Sequence, residues 1–197
     1  DNGAFGYTER APSDALAAHI AAQVPHAESL PGGYLTEVHP VGCGFMASLA
    51  RMLAKGKGAA FLFDYGFPAH EYYLGQRETG TVMCHYRHHS HPDPFYLPGL
   101  QDITAHVDFT AMALAAQNNG LDVLGYMNQA SFLLGAGIGE LLTRTSPEDA
   151  MRYLPQANAV QKLLSPAEMG ELFKVLIVGK DVALPDAIAQ ADRSHRL

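Results

Sequence analysis

The sequence predicts an α/β fold, and three observations carry that prediction. Between Val41 and Lys55 the side chains of Phe45, Leu49, Met52 and Leu53 recur at helical spacing, and after a glycine turn the unbroken apolar run Ala59–Phe63 has the pattern of a strand covered on both faces. Asp108–Asn118 and Leu121–Tyr126 give the same order of helix, glycine turn and strand, with no repeat in the sequence itself. Phe173–Val178 adds a third apolar strand candidate. A content of 48% hydrophobic and 17% charged residues is enough to bury one sizeable core, so one compact unit is expected from the 197 residues.

The remaining elements follow in order. The start, Asp1-Asn2-Gly3, has no initiator Met and no charged-then-apolar signal pattern, and reads as a cut end. Ser13 can N-cap an Ala-rich helix over Ser13–Val24. Tyr34–Val38 alternates and is bounded by Gly32-Gly33 and Pro40, which predicts a short strand. In the first α/β pair, Arg51 and Lys55 complement the helix C-terminus, Gly56 ends it, and the strand stops at Asp64-Tyr65-Gly66. Phe67–Thr104, rich in Pro, His, Tyr and Gly, reads as a functional loop with one strand at Thr81–Arg87. Asp108 caps the second helix and Asn119-Gly120 closes it. A short apolar helix through Leu134 follows Gln129, and Ser146-Pro147-Glu148-Asp149 and Ser165-Pro166-Ala167-Glu168 each predict a helix start with Pro at its first position. Asp181–Leu197 is polar and reads as a tail.

Composition narrows the function. A formal net charge of −7 argues against nucleic acid as the main partner, because phosphate binding needs clustered Lys and Arg; a small molecule or a basic protein segment fits better. No stretch approaches the ~18 consecutive apolar residues of a membrane helix. Cys43 and Cys84 are too few for a disulfide framework and suggest a reducing compartment.

Ligands of open α/β sheets sit outside the carboxyl ends of the strands, which is where Asp64 and Tyr65 fall. They can hold a substrate amine or guanidinium, or Asp64 can simply cap the next segment. His85, Arg87, His88, His89, His91 and Asp93 form a dense cluster, but in an extended segment His88 points away from His89 and His91, so a solvated or substrate-facing loop is expected and no metal site. Asp102, Thr104, His106 and Asp108 are spaced to share one face of an extended segment and line a polar pocket, or Asp108 is only a helix cap. Gly135-Ala136-Gly137-Ile138-Gly139 lacks the preceding strand and the later acid of a dinucleotide or donor loop, and reads as a helix-ending glycine cluster.

Tyr34-Leu35-Thr36-Glu37, Phe61-Leu62-Phe63-Asp64-Tyr65-Gly66, Gly80-Thr81, Tyr86-Arg87, the turns at Asp93-Pro94 and Pro98-Gly99, and Asp102-Ile103-Thr104-Ala105-His106-Val107-Asp108-Phe109 together resemble the MidA family of S-adenosyl-L-methionine (SAM) dependent methyltransferases. The matched order spans Tyr34 to Ile138, and Gln156–Lys174 resembles the tail of bacterial members. The resemblance implies the C-terminal part of a Rossmann-like class I methyltransferase fold with a family-specific insertion. It divides the chain into a helical linker over 1–33, half of the methyltransferase domain over 34–180 and a tail over 181–197. It also implies methylation of a protein arginine linked to assembly of a respiratory complex, in the bacterial cytoplasm or, for a eukaryotic member, the mitochondrial matrix.

The family's donor site uses a glycine-rich turn after the first strand and two acids. Neither feature is present here, so SAM is expected to be held mainly by an N-terminal half that acts as a partner to this one, with no cofactor-binding residue named in this chain. Asp64, Tyr65 and Glu37 are the implied catalytic residues, and Arg87, Asp102, His106 and Asp108 the implied substrate residues. A small-molecule methyltransferase and a non-catalytic assembly scaffold are the rival readings.

Overall fold

The computed structural model describes residues 3–197; the cut end expected at Asp1-Asn2 lies outside them. The chain divides into two compact units, one formed by residues up to Pro40 with Ala69–His106, the other by Val41–Pro68 with Val107–Leu197. That division departs from the single compact unit expected.

In the first unit, α1 (Asp14–Gln23) starts as expected, with the Ser13 hydroxyl accepting the Leu16 N–H. Tyr34–Val38 does not become a strand: it makes one parallel bridge, Leu35 to Thr79, because Glu37 turns its side chain into the amides of the following turn. The long segment after Phe67 is more ordered than a loop. It holds the single-turn helix α3 (Ala69–Tyr72) and a three-stranded antiparallel sheet in the order β3-β2-β4, built from β2 (Met83–Tyr86), β3 (His89–His91) and β4 (Asp102–Thr104).

The second unit is built on a four-stranded sheet of order β5-β1-β7-β6. Here β1 is Gly58–Phe67, β5 Val107–Asp108, β6 Asp122–Asn128 and β7 Phe173–Lys180. Central β7 runs antiparallel to both β1 and β6, and only β5 is parallel to β1. The sheet is therefore mixed. In β7 the run Val175–Val178 is fully buried, and successive residues feed opposite faces. Leu176 and Val178 join Met46 and Ala50 of α2 (Pro40–Leu53) and Phe109, Met112 and Ala116 of α4 (Phe109–Asn118). Val175 and Ile177 join Met127 and Ile188 on the other face, where Phe132 of α5 (Gln129–Gly135) packs. β1 departs from expectation twice. It runs through Asp64-Tyr65-Gly66, because Gly66 and Phe67 still find partners in Val107 and Asp108, and Phe61 and Phe63 are exposed instead of covered.

The C-terminal third holds further differences. α6 (Ile138–Thr143) begins after Gly137, and α7 (Ala150–Leu164) begins four residues later than Ser146, whose hydroxyl instead accepts the Glu148 N–H in the preceding turn. Ser165 caps the end of α7 rather than starting a helix; its carbonyl accepts the N–H groups of Glu168 and Gly170, which folds the segment into turns. Asp181–Leu197 is not a free tail. It forms α8 (Asp186–Ala189), buries Ile188, and hydrogen-bonds to β6 through Asp192 and Arg193.

Candidate functional site

In the second unit Asp64, Lys174 and Asn128 lie opposite one another across β1, β7 and β6, one polar row beyond the buried row Leu62, Leu176 and Tyr126. On this face the sheet thus changes from apolar to polar at Asp64 of β1 and at Asn128, the last residue of β6. Asp64 is exposed, and among the described residues its side chain accepts one hydrogen bond, from the Tyr65 N–H to Oδ1 at 2.8 Å, which leaves Oδ2 open to a ligand. The Tyr65 ring meets Phe173 edge-on at 5.6 Å. Lys174 and Asn128 both donate to Glu171, with Lys174 Nζ to Oε1 at 2.8 Å. Burial alone raises the Glu171 pKa, but the hydrogen bonds from Lys174 and Asn128 and the charges of Lys174 and Arg193 outweigh it, and the net shift is downward. Sequence reasoning missed this trio, whose only signal is the polar residue at each end of an apolar strand.

Asp108 lies opposite Phe67, three residues beyond Asp64 along β1, and its Oδ1 caps α4 by accepting the Ala111 N–H at 3.0 Å. Burial pushes the Cys43 thiol pKa up, and the Asp108 charge adds to that rise. Gly66 permits the close pairing here: a Cβ at that position would overlap the Val107 carbonyl.

In the first unit Glu37 is the hub. Its Oε1 accepts the N–H groups of Thr81 and Val82 at 3.0 and 3.1 Å, and its Oε2 the Thr81 hydroxyl at 3.0 Å. The Tyr72 hydroxyl lies 3.2 Å from both Glu37 Oε2 and the His106 carbonyl and donates to one at a time. His106 enters this network through its backbone, its N–H donating to Thr81 Oγ1 at 3.0 Å. Gly80, at φ +73, leaves the room that the carboxylate fills. Glu37 therefore braces the turn at 79–82, with its oxygens taken up by internal donors.

Neither Arg87 nor Asp102 joins that hub. Asp102 is exposed on β4 opposite His85, and Arg87 sits with His88 in the two-residue turn between β2 and β3. Both turn residues have positive φ, 48° and 66°, and the Arg87 guanidinium lies over the Tyr86 ring at 5.4 Å. Among the described residues no group of three His, Cys, Asp or Glu side chains is placed to hold a metal. The glycine cluster at 135–139 does not fit a donor nucleotide. A Cβ on Gly135 would meet the Ala187 carbonyl at 2.6 Å, so the chain itself fills that approach, and Gly137 caps a helix of only six residues.

Comparison with known proteins adds to this geometry. Residues 1–127 match the Methyltransf_28 family model, described as "Putative S-adenosyl-L-methionine-dependent methyltransferase". The mouse protein named Protein arginine methyltransferase NDUFAF7, mitochondrial (Mus musculus), is 31% identical over 141 residues, which are 70% of this chain and 30% of that one. Its human counterpart (Homo sapiens) is 30% identical over 81% of this chain and 34% of its own length. A COG1565 superfamily member from Burkholderia thailandensis, crystallised with S-adenosyl-homocysteine, superposes with a TM-score of 0.89 at 52% identity over 100% of this chain. The chain spans 50% of that solved protein and about a third of the curated relatives.

Proposed function

Because the chain belongs to the Methyltransf_28 family of SAM-dependent methyltransferases, we propose that it carries the acceptor side of such an enzyme, and that the acceptor is an arginine of another protein. Its α/β unit is part of a class I methyltransferase fold, shared with the solved relative at 52% identity.

The observation that carries the acceptor reading is the state of the Asp64 carboxylate. Of the four acids singled out from the sequence, Glu37 is wrapped by internal donors, Asp108 caps a helix and Asp102 is exposed on the three-stranded sheet, whereas Asp64 stands exposed near the carboxyl end of β1 in the α/β sheet, with Oδ2 uncommitted. A guanidinium is held best by two in-plane carboxylate oxygens, which fixes the nitrogen that is to be methylated. The Tyr65 ring, steadied by Phe173, offers a face on which the cation can rest. The donor supplies a sulfonium methyl group, and the residues named here are assigned only the binding and orienting of the acceptor. Glu37 acts as a positioning residue through Thr81 and Tyr72. Arg87 and Asp102, both exposed in the first unit, are proposed to contact the substrate protein, and His106 joins the Glu37 network through its backbone.

The names of the mitochondrial relatives support a protein arginine acceptor. The sequence resemblance extends the proposal to a subunit of a respiratory complex, with the protein working in the bacterial cytoplasm or, in a eukaryote, the mitochondrial matrix. Transfer of labelled methyl groups from SAM to protein arginine, in extracts of cells producing this chain, wild type or Asp64→Asn, joined to a donor-binding half, tests the reading. Losing a charged contact worth about 1.5–3 kcal/mol should lower labelling about tenfold or more. Labelling confined to small molecules, or unchanged in Asp64→Asn, would overturn it.

A further inference from the structure

Opposite charges on facing residues of an antiparallel pair ordinarily meet, since their Cβ atoms lie about 5 Å apart and a lysine side chain spans that gap. β1 and β7 set up such a pair at Asp64 and Lys174, which are register partners and so share one face of the sheet. Among the described residues, however, the ion pair that Lys174 makes is with Glu171.

Lys174 Nζ donates to Glu171 Oε1 at 2.8 Å and to the Glu171 carbonyl, and the lysine side chain is only 14% exposed. Asn128 of β6 donates to the other oxygen, Oε2, and is itself fixed as the N-cap of α5, its Oδ1 accepting the Ser131 N–H at 2.8 Å. Arg193 adds a second positive charge near the same carboxylate. Glu171 thus collects positive charge at this end of the sheet, while Asp64 accepts from an uncharged backbone N–H. That division decides what Asp64 can do. With Lys174 on Asp64, an incoming guanidinium would have to displace a tethered ammonium, whose effective concentration is about millimolar or more. With Lys174 on Glu171, the incoming cation meets an open carboxylate.

We propose that Glu171 is a positioning residue for the acceptor: held by Asn128, it draws the Lys174 ammonium off Asp64 and so keeps the Asp64 carboxylate open to the cation of the substrate. The proposal rests on the acceptor role given to Asp64. It assigns Glu171 no contact with the substrate, because Lys174 and Asn128 already engage one carboxylate oxygen each.

Two measurements separate this relation from the acceptor role itself. In a crystal structure of this chain carrying Glu171→Ala, Lys174 Nζ should turn to within ion-pair distance of Asp64 Oδ2. The Glu171 side chain is 55% exposed, so the fold should hold by circular dichroism, and Glu171→Gln, which keeps the side chain's shape, replaces the alanine variant if it does not. In the labelling assay, with this chain joined to a donor-binding half, Glu171→Ala should lower arginine labelling about fivefold in dilute extract and much less in concentrated extract. The released ammonium competes with the acceptor and leaves the transfer step alone. Adding Lys174→Met to Glu171→Ala should restore labelling, which a merely structural Glu171 would not allow. Lys174 staying off Asp64 in the Glu171 variant, or a loss that Lys174→Met does not rescue, would overturn the positioning role and leave the acceptor role of Asp64 standing. Lys174 found on Asp64 with labelling unchanged would overturn that acceptor role and this use of Glu171 with it.

Discussion

Removing the Glu37 carboxylate should loosen the turn at 79–82 by an amount that the hydrogen bonds allow one to work out. In Glu37→Ala four donors lose their acceptor. The two hydroxyls can turn elsewhere, Tyr72 to the His106 carbonyl at 3.2 Å and Thr81 to water. The backbone N–H groups of Thr81 and Val82 cannot. Two charge-assisted bonds at about 1.5–3 kcal/mol each, reduced because the site is only partly buried, give a loss of about 2–4 kcal/mol. Glu37→Gln behaves differently. Its one carbonyl oxygen can take the place of Oε1, which already accepts both amides, while its NH2 faces hydroxyl oxygens that can accept. The cost should be about 1 kcal/mol. Amide hydrogen exchange measures the contrast directly, with Thr81 and Val82 opening about 30- to 1,000-fold more often in the alanine variant and only several-fold more often in the glutamine variant. If both variants lost methyl transfer while these two amides exchanged as in wild type, the carboxylate would be serving the chemistry and not the turn.

Three further outcomes are expected. The pKa of Glu171 is lowered on folding from a reference of 4.5, so its contribution to stability is complete above that pH and is lost as pH falls through the folded value. Urea unfolding at pH 7 and pH 3 should therefore show a smaller acid loss in Lys174→Met than in wild type, and an equal loss would refute the pairing. With its pKa raised, Cys43 should alkylate more slowly at pH 8 than a free thiol, and Asp108→Asn should speed it up modestly; a rate that Asp108→Asn leaves unchanged would remove the carboxylate as a cause. Calorimetry of this chain alone should give no binding of SAM at micromolar concentration, and tight binding would point first to the glycines at 135–139.

What the sequence made legible was local. Ser13 and Asp108 announce their helices because an N-cap acts within three residues, and β7 is plain because four buried residues in a row are all apolar. What it hid depends on partners far along the chain. β1 continues past Asp64 only because Val107 and Asp108 come alongside, and Glu37 is a brace only because Thr81 and Val82 lie 44 and 45 residues on. The β2–β3 hairpin escaped notice for a different reason: its turn is Arg87-His88, where left-handed backbone would lead one to look for Asn-Gly. The capping pattern at Ser165 misled because Gly170 brings its backbone against Leu164, which bends the chain back before a helix can begin. For the candidate site, Asp64 and Tyr65 were visible as the end of an apolar run, whereas Lys174, Asn128 and Glu171 become neighbours only through the register of three strands.

The central place of β7 bears on how the molecule is made. Gly58 pairs with Lys180 and Tyr65 with Phe173, so the strand that joins β1 to β6 lies more than a hundred residues downstream of the first strand it pairs with. Such high contact order predicts slow folding, since the closure entropy of a long loop has to be met before any of these contacts forms. During synthesis β1 and β6 both leave the ribosome before their common partner does. Through that interval Phe61, Leu62, Phe63 and Met127 have no completed sheet to pack on, which makes the nascent chain a client for chaperones until residues 173–180 have emerged.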